Sequence, residues 1–147
     1  MIADFRDLLV AFVTNRVRFL VVGAHALAAH GIPRTTGDLD VWVEPTRANA
    51  VRVWKAMSEF GAPLADLDVH ESDFAAPDRV VQLGLPPYRV DILTAVSGLT
   101  FEDAWADRLP GHLFGVDVPF LGRDTMIRNK RATGRDKDLE DVRALEG

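Results

Sequence analysis

Apolar residues recur at Ile2, Phe5, Leu8, Leu9, Phe12 and Val13, the spacing of an amphipathic helix that ends near Asn15. Phe19-Leu20-Val21-Val22-Gly23 is a short apolar run stopped by glycine, which predicts a buried strand. Ala24 to His30, rich in alanine and leucine and closed by Gly31 and Pro33, predicts a short helix. Next comes Gly37-Asp38-Leu39-Asp40-Val41-Trp42-Val43, a turn that feeds a β-branched strand. Pro45-Thr46 offers a helix start, and Ala50, Val51, Val53, Trp54, Met57 and Phe60 carry that helix to Gly61. Positions 62–77 show no sustained period and read as loop with at most a helical turn. Val80 to Leu85 and Tyr88 to Leu93 predict two strands joined by a short turn at Pro86-Pro87, most economically a hairpin. A brief helix at Phe101 to Asp107, a short strand from Phe114 to Phe120 around Gly115, and two helices, Arg123 to Ala132 and Asp136 to Leu145, complete the pattern.

Alternating strands and helices followed by a hairpin predict an α+β architecture, a small mixed β-sheet with packed helices, in which the strand of Asp38 and Asp40 is central. The chain reads as one domain over 1–147, with 123–147 a C-terminal helical segment. Its 147 residues can bury roughly 70% of the unfolded surface, so a core needs no staples. The absence of cysteine excludes disulfides, thiolate metal sites and cysteine nucleophiles. Met1 to Asp7 carries acids where a signal peptide would carry lysines, and no apolar stretch approaches a membrane span, so a soluble, cytoplasmic protein with no membrane partner is expected. A net charge of −5 argues against sequence-independent nucleic-acid binding by the whole surface. One local basic stretch remains: Arg123, Arg128, Lys130, Arg131, Arg135 and Lys137, which is either a solvated helix face or a seat for phosphate.

The chemistry concentrates on Asp38 and Asp40. Residues i and i+2 of a strand leave the same face roughly 7 Å apart, while Leu39, Val41 and Val43 leave the other. A turn explains Asp38, but Asp40 lies inside an apolar run where an unpaired charge costs several kcal/mol, so a bound cation or a basic partner must neutralise it. Asp91, in Val90-Asp91-Ile92-Leu93, meets the same objection. If the two strands are neighbours, about 5 Å apart, three carboxylates converge on one face, a donor set suited to a hard cation such as Mg²⁺ or Mn²⁺.

Four segments together resemble the nucleotidyltransferase superfamily of the polymerase-β type: Phe19 to Ala26, Arg34 to Asp40, Arg89 to Leu93, and Asn129 to Val142. The chain looks most like the small, single-domain bacterial group related to the abortive-infection toxins. The resemblance implies a polymerase-β palm-like fold and metal-dependent transfer of an NMP from an NTP to an acceptor hydroxyl on RNA or protein, within a toxin–antitoxin or phage-defence pair that would supply an antitoxin or other partner. It implies two metal ions on Asp38, Asp40 and Asp91, with Asp91 as general base. Gly23 and the amides opening the next helix, Ala24 among them, would face the triphosphate. Lys130 corresponds to a phosphate-contacting lysine, with Asp138 and Asp141 in the acidic motif that follows; Arg34 would steady phosphate or pair with the aspartates; Thr36 belongs to the same nucleotide-binding set. One departure is Ala24, where the family has a small hydroxyl or a second glycine, so a side-chain donor to phosphate is lost and the backbone amide is kept. A rival reading of the same residues is a catalytically silent member acting as a nucleotide- or partner-binding regulatory module.

Elsewhere the bland readings are preferred. His25 and His30 lack a third ligand for zinc. Trp42, although on the aspartates' face, is expected in the core or an interface, and Asp103 and Asp107 on a solvated helix face.

Overall fold

Helix α1 (Ile2–Thr14) presents Phe5, Leu8, Leu9 and Phe12 to the interior, all buried. Phe12 meets Phe19 edge to face at 5.4 Å, which seats the helix on the first strand. The computed structural model describes residues 2–85 and 88–147. After α1 the chain forms β1 (Phe19–Val22), α2 (Gly23–Ala29), β2 (Leu39–Val43), α3 (Arg47–Phe60), β3 (Val80–Leu83), β4 (Val90–Leu93), α4 (Phe101–Ala106), β5 (Leu109–Leu113), β6 (Val116–Phe120), α5 (Arg123–Thr133) and α6 (Asp136–Glu146). One 3-10 turn, Glu71–Phe74, lies in the segment predicted as loop.

Among the described residues six strands form one sheet in the order β3-β4-β2-β1-β6-β5, so the aspartate strand β2 is internal. It runs antiparallel to β1 and parallel to β4. The mixed α+β sheet with packed helices therefore matches the expected class. β3 and β4 pair antiparallel as expected, although the Pro86-Pro87 connection lies outside the described residues.

Local capping explains why α3 starts and stops where it does. Thr46 accepts from the Asn49 amide, and Gly61 adopts the left-handed conformation at the C-terminal end. Asn49 is itself 1% exposed, and its side chain ties α3 to the residues flanking β1 and β2: it accepts from Arg18 N at 2.8 Å and donates to the carbonyls of Arg18 and Glu44, both at 3.0 Å. A buried amide so satisfied locks the start of β1 to the start of α3.

One expectation is corrected. The strand placed at Phe114 to Phe120 is the second half of a hairpin, β5 to β6, whose turn is Phe114-Gly115, both at positive φ. Pro110 and Gly111 make the first half read as a breaker, but β5 is a sheet edge, where a proline costs no interior ladder bond.

Candidate active site

β2 and β4 lie side by side in a register that makes Asp40 and Asp91 direct partners. Two carboxylates at one rung of a parallel ladder repel, and the rung is largely buried. Burial first, then the charges of Asp91 and Asp38, push the Asp40 carboxyl up to about 6; Arg89 opposes them, and a hydrogen bond with Asp91 adds to the rise. The turn before β2 is shaped by Thr36, whose hydroxyl accepts from the Asp38 amide at 3.0 Å.

Arg89, immediately before β4, is the counter-ion of this cluster, and its role was not read from the sequence. Its Nε lies 2.9 Å from Asp91 Oδ1 and its Nη2 donates to Asp91 Oδ2 at 3.2 Å. The same Nη2 stands 3.7 Å from Asp38 Oδ2, and the Arg89 backbone amide donates to Asp38 Oδ1 at 3.3 Å. An arginine two residues before an aspartate on a strand shares its face. That spacing was the available signal.

A cavity of about 580 Å³ joins the two halves of the site. Gly23, Asp40 and Asp91 line it from the sheet, and Asn129, Lys130 and Arg135 from the C-terminal helices. Lys130 is largely buried; its Nζ lies 3.0 Å from Asp141 Oδ2 and 3.5 Å from Asp138 Oδ1. Asp138 also accepts from Arg135 Nε at 2.7 Å and from the Thr133 hydroxyl at 2.7 Å. The Arg135 bond, aided by Thr133 and Lys130 against burial, holds the Asp138 carboxyl down at about 2. Asp141 is paired by Arg34 as well. Lys130 and Arg135 line the cavity while Asp138 and Asp141 lie buried outside its lining, so the wall on this side is positive.

The structure therefore brings Gly23, Asp40, Asp91 and Lys130 together. Asp38 adjoins the group but is turned to Arg89, and Ala24, Arg34 and Thr36 do not line the cavity. Arg34 pairs with Asp141 instead of with Asp38 or Asp40, because α6 carries that carboxylate back to the loop before β2. Arg135, from the basic stretch read as a solvated face or a seat for phosphate, joins the lining, and so does Asn129, which was not singled out. Trp42 is a core residue, 1% exposed and edge to face with Phe101 at 5.2 Å. Asp107 is not on a solvated face: its Oδ2 accepts from both the amide and the hydroxyl of Thr125 at 3.1 Å, capping the first turn of α5. Asp103 does stay exposed, 3.8 Å from Arg128. His30 bonds the Leu121 carbonyl at 2.7 Å, and the His25 ring packs against Phe114.

Among the described residues no three acidic or histidine side chains form a preassembled metal cage. The donor set nonetheless fits a hard divalent cation: carboxylate oxygens with no sulfur donor, and a buried Asp91 Oδ1 that faces Arg89 Nε at 2.9 Å without an aligned hydrogen bond. Asp40 and Asp91 are the residues that could hold such an ion, with Asp38 completing the set. Among the described residues no helix is long and apolar enough to cross a membrane.

No protein-family model matches the chain, and comparison with curated proteins finds no match. Among solved structures, a crystal structure described as that of a "putative nucleotidyltransferase" from Thermotoga maritima superposes with a TM-score of 0.58 over 97% of this chain and 88% of that one, at 16% identity. At that identity the likeness speaks for architecture alone: the six-stranded mixed sheet with its packed helices is a fold that this chain shares with that protein.

Proposed function

We propose that this chain is a metal-dependent nucleotidyltransferase that moves an NMP from an NTP to an acceptor hydroxyl on RNA or protein. The observation that carries the reading is the Asp40–Asp91 rung, two mutually repelling carboxylates that share one cavity with Lys130 and Arg135. Negative charge gathered on one wall and positive charge on another suits a triphosphate approached by a cation.

In this reading Lys130 and Arg135 bind phosphate oxygens, and their buried partners Asp138 and Asp141 keep both cations in place before substrate arrives. Asp91 Oδ1 takes the proton from the acceptor hydroxyl as that oxygen attacks the α-phosphorus and pyrophosphate leaves. Gly23, with no side chain, leaves room at the floor of the cavity for the Asp40 carboxylate. Mg²⁺ or Mn²⁺, when bound by Asp38, Asp40 and Asp91, supplies charge neutralisation and acidifies the acceptor hydroxyl.

The test is transfer of label from α-labelled NTPs, with Mg²⁺ or Mn²⁺, to RNA or protein in a cell extract. Asp40→Ala is expected to abolish it. Loss of transfer in both proteins, with NTP binding intact, would favour the silent regulatory reading, for which the missing hydroxyl at Ala24 is the supporting observation. A toxin–antitoxin or phage-defence role belongs to the same proposal and predicts growth arrest on expression that Asp40→Ala relieves.

A further inference from the structure

The three carboxylates are not equally available. Arg89 spends its side chain on two of them, with Nε and Nη2 at 2.9 and 3.2 Å from the two oxygens of Asp91 and Nη2 at 3.7 Å from Asp38 Oδ2. A guanidinium set so across a carboxylate neutralises the charge and takes the place that a metal ion would need. Asp40 has no such arginine contact; its neighbour is Asp91 itself. Among the described residues the cluster thus holds one carboxylate with no arginine contact and two that are already engaged by the same cation.

We infer that Arg89 is a built-in competitor of the divalent cation, a positioning residue that holds Asp38 and Asp91 together and must release them for the ion to bind. The inference rests on the metal-dependent reading above. Arg89 sits at the entry to β4 with its side chain 30% exposed, so it has solvent into which to withdraw. Once withdrawn it is a free cation next to Asp91, which lines the cavity, and is available to an incoming phosphate. Cation entry and phosphate recognition then become one exchange: the ion replaces the guanidinium on the carboxylates, and the guanidinium gains the substrate's charge.

The deciding measurement is Mn²⁺ binding without nucleotide, followed by the EPR signal of free Mn²⁺ on the full chain. Arg89→Gln is expected to bind Mn²⁺ about ten-fold more tightly than wild type, the scale of one charge-assisted hydrogen bond. Arg131→Gln removes the same charge from an exposed position on α5, where Arg131 pairs with Glu146, and is expected to leave the affinity unchanged. Equal tightening in both variants, or no tightening in Arg89→Gln, overturns the inference while the metal reading stands. No Mn²⁺ binding by either wild type or Arg89→Gln overturns both. If Arg89→Gln does not fold, wild-type NMR decides: Mg²⁺ should shift the Arg89 Nε–H resonance and speed its exchange with water, and an unmoved resonance while Mg²⁺ shifts the Asp40 and Asp91 amides overturns the inference.

Discussion

A Cβ on Gly23 would stand 2.2 Å from Oδ2 of Asp40. The glycine at the end of β1 is therefore the space that the Asp40 carboxylate occupies, and the φ of +70° at Gly23 is one that an L side chain adopts only with strain. Gly23→Ala is expected to lower stability by about 1–3 kcal/mol and to weaken Mn²⁺ binding, because Asp40 must swing aside. Thermal melting paired with an Mn²⁺ titration checks both; unchanged values in the two measurements would mean that the carboxylate has another place to go.

Asp40 makes the metal-free protein sensitive to mild acid in an unusual direction. Its folded pKa, about 6, is above the ordinary 3.8, so the folded state holds the proton more tightly than the unfolded chain. Stability should consequently rise as pH falls from about 6 toward about 4, where the repulsion with Asp91 and Asp38 is relieved. Asp40→Asn is expected to flatten that window and to gain about 1–2 kcal/mol at pH 7, after allowance for partial solvent exposure. Denaturant melts in chelator at several pH values provide the comparison, and a less stable Asp40→Asn at pH 7 would count against the repulsion.

The opposite sign applies to Asp138. Its folded pKa, about 2, is below 3.8, so its contribution is complete above about pH 4 and is lost as pH falls toward 2. Asp138→Asn should remove part of the acid-unfolding limb below pH 4 while leaving the Asp40 window intact. Lys130→Met strips a cation from the same buried group and is expected to cost about 1–3 kcal/mol, less than a fully orphaned buried charge because Arg34 and Arg135 remain on Asp141 and Asp138. Under the proposed function it should also weaken NTP binding, which isothermal titration measures independently of folding.

Much of this was legible in the chain because it is local. The start of α3 is written in Thr46 and its end in Gly61, each acting within a few residues. Asp40 and Asp91 stood out because a charge inside a run of Val, Leu and Ile contradicts the burial that the run itself predicts. The strand β5 was illegible for the converse reason: Pro110 and Gly111 are poor strand residues by propensity, and only an edge position makes them acceptable. Asp107 read as a solvated helix residue because its partner, Thr125, lies on another helix.

The sequence by itself determined the element types, the aspartate-bearing strand and the residues with an unsolved charge, since propensity, capping and apolar periodicity act over a few positions. Tertiary structure alone decided which charges solve one another. The parallel register put Asp40 against Asp91, Arg89 went to Asp91 and Asp38, and Arg34 crossed to Asp141, a residue 107 positions later. Charges interact through space, and strand order and helix packing, not spacing along the chain, set those distances.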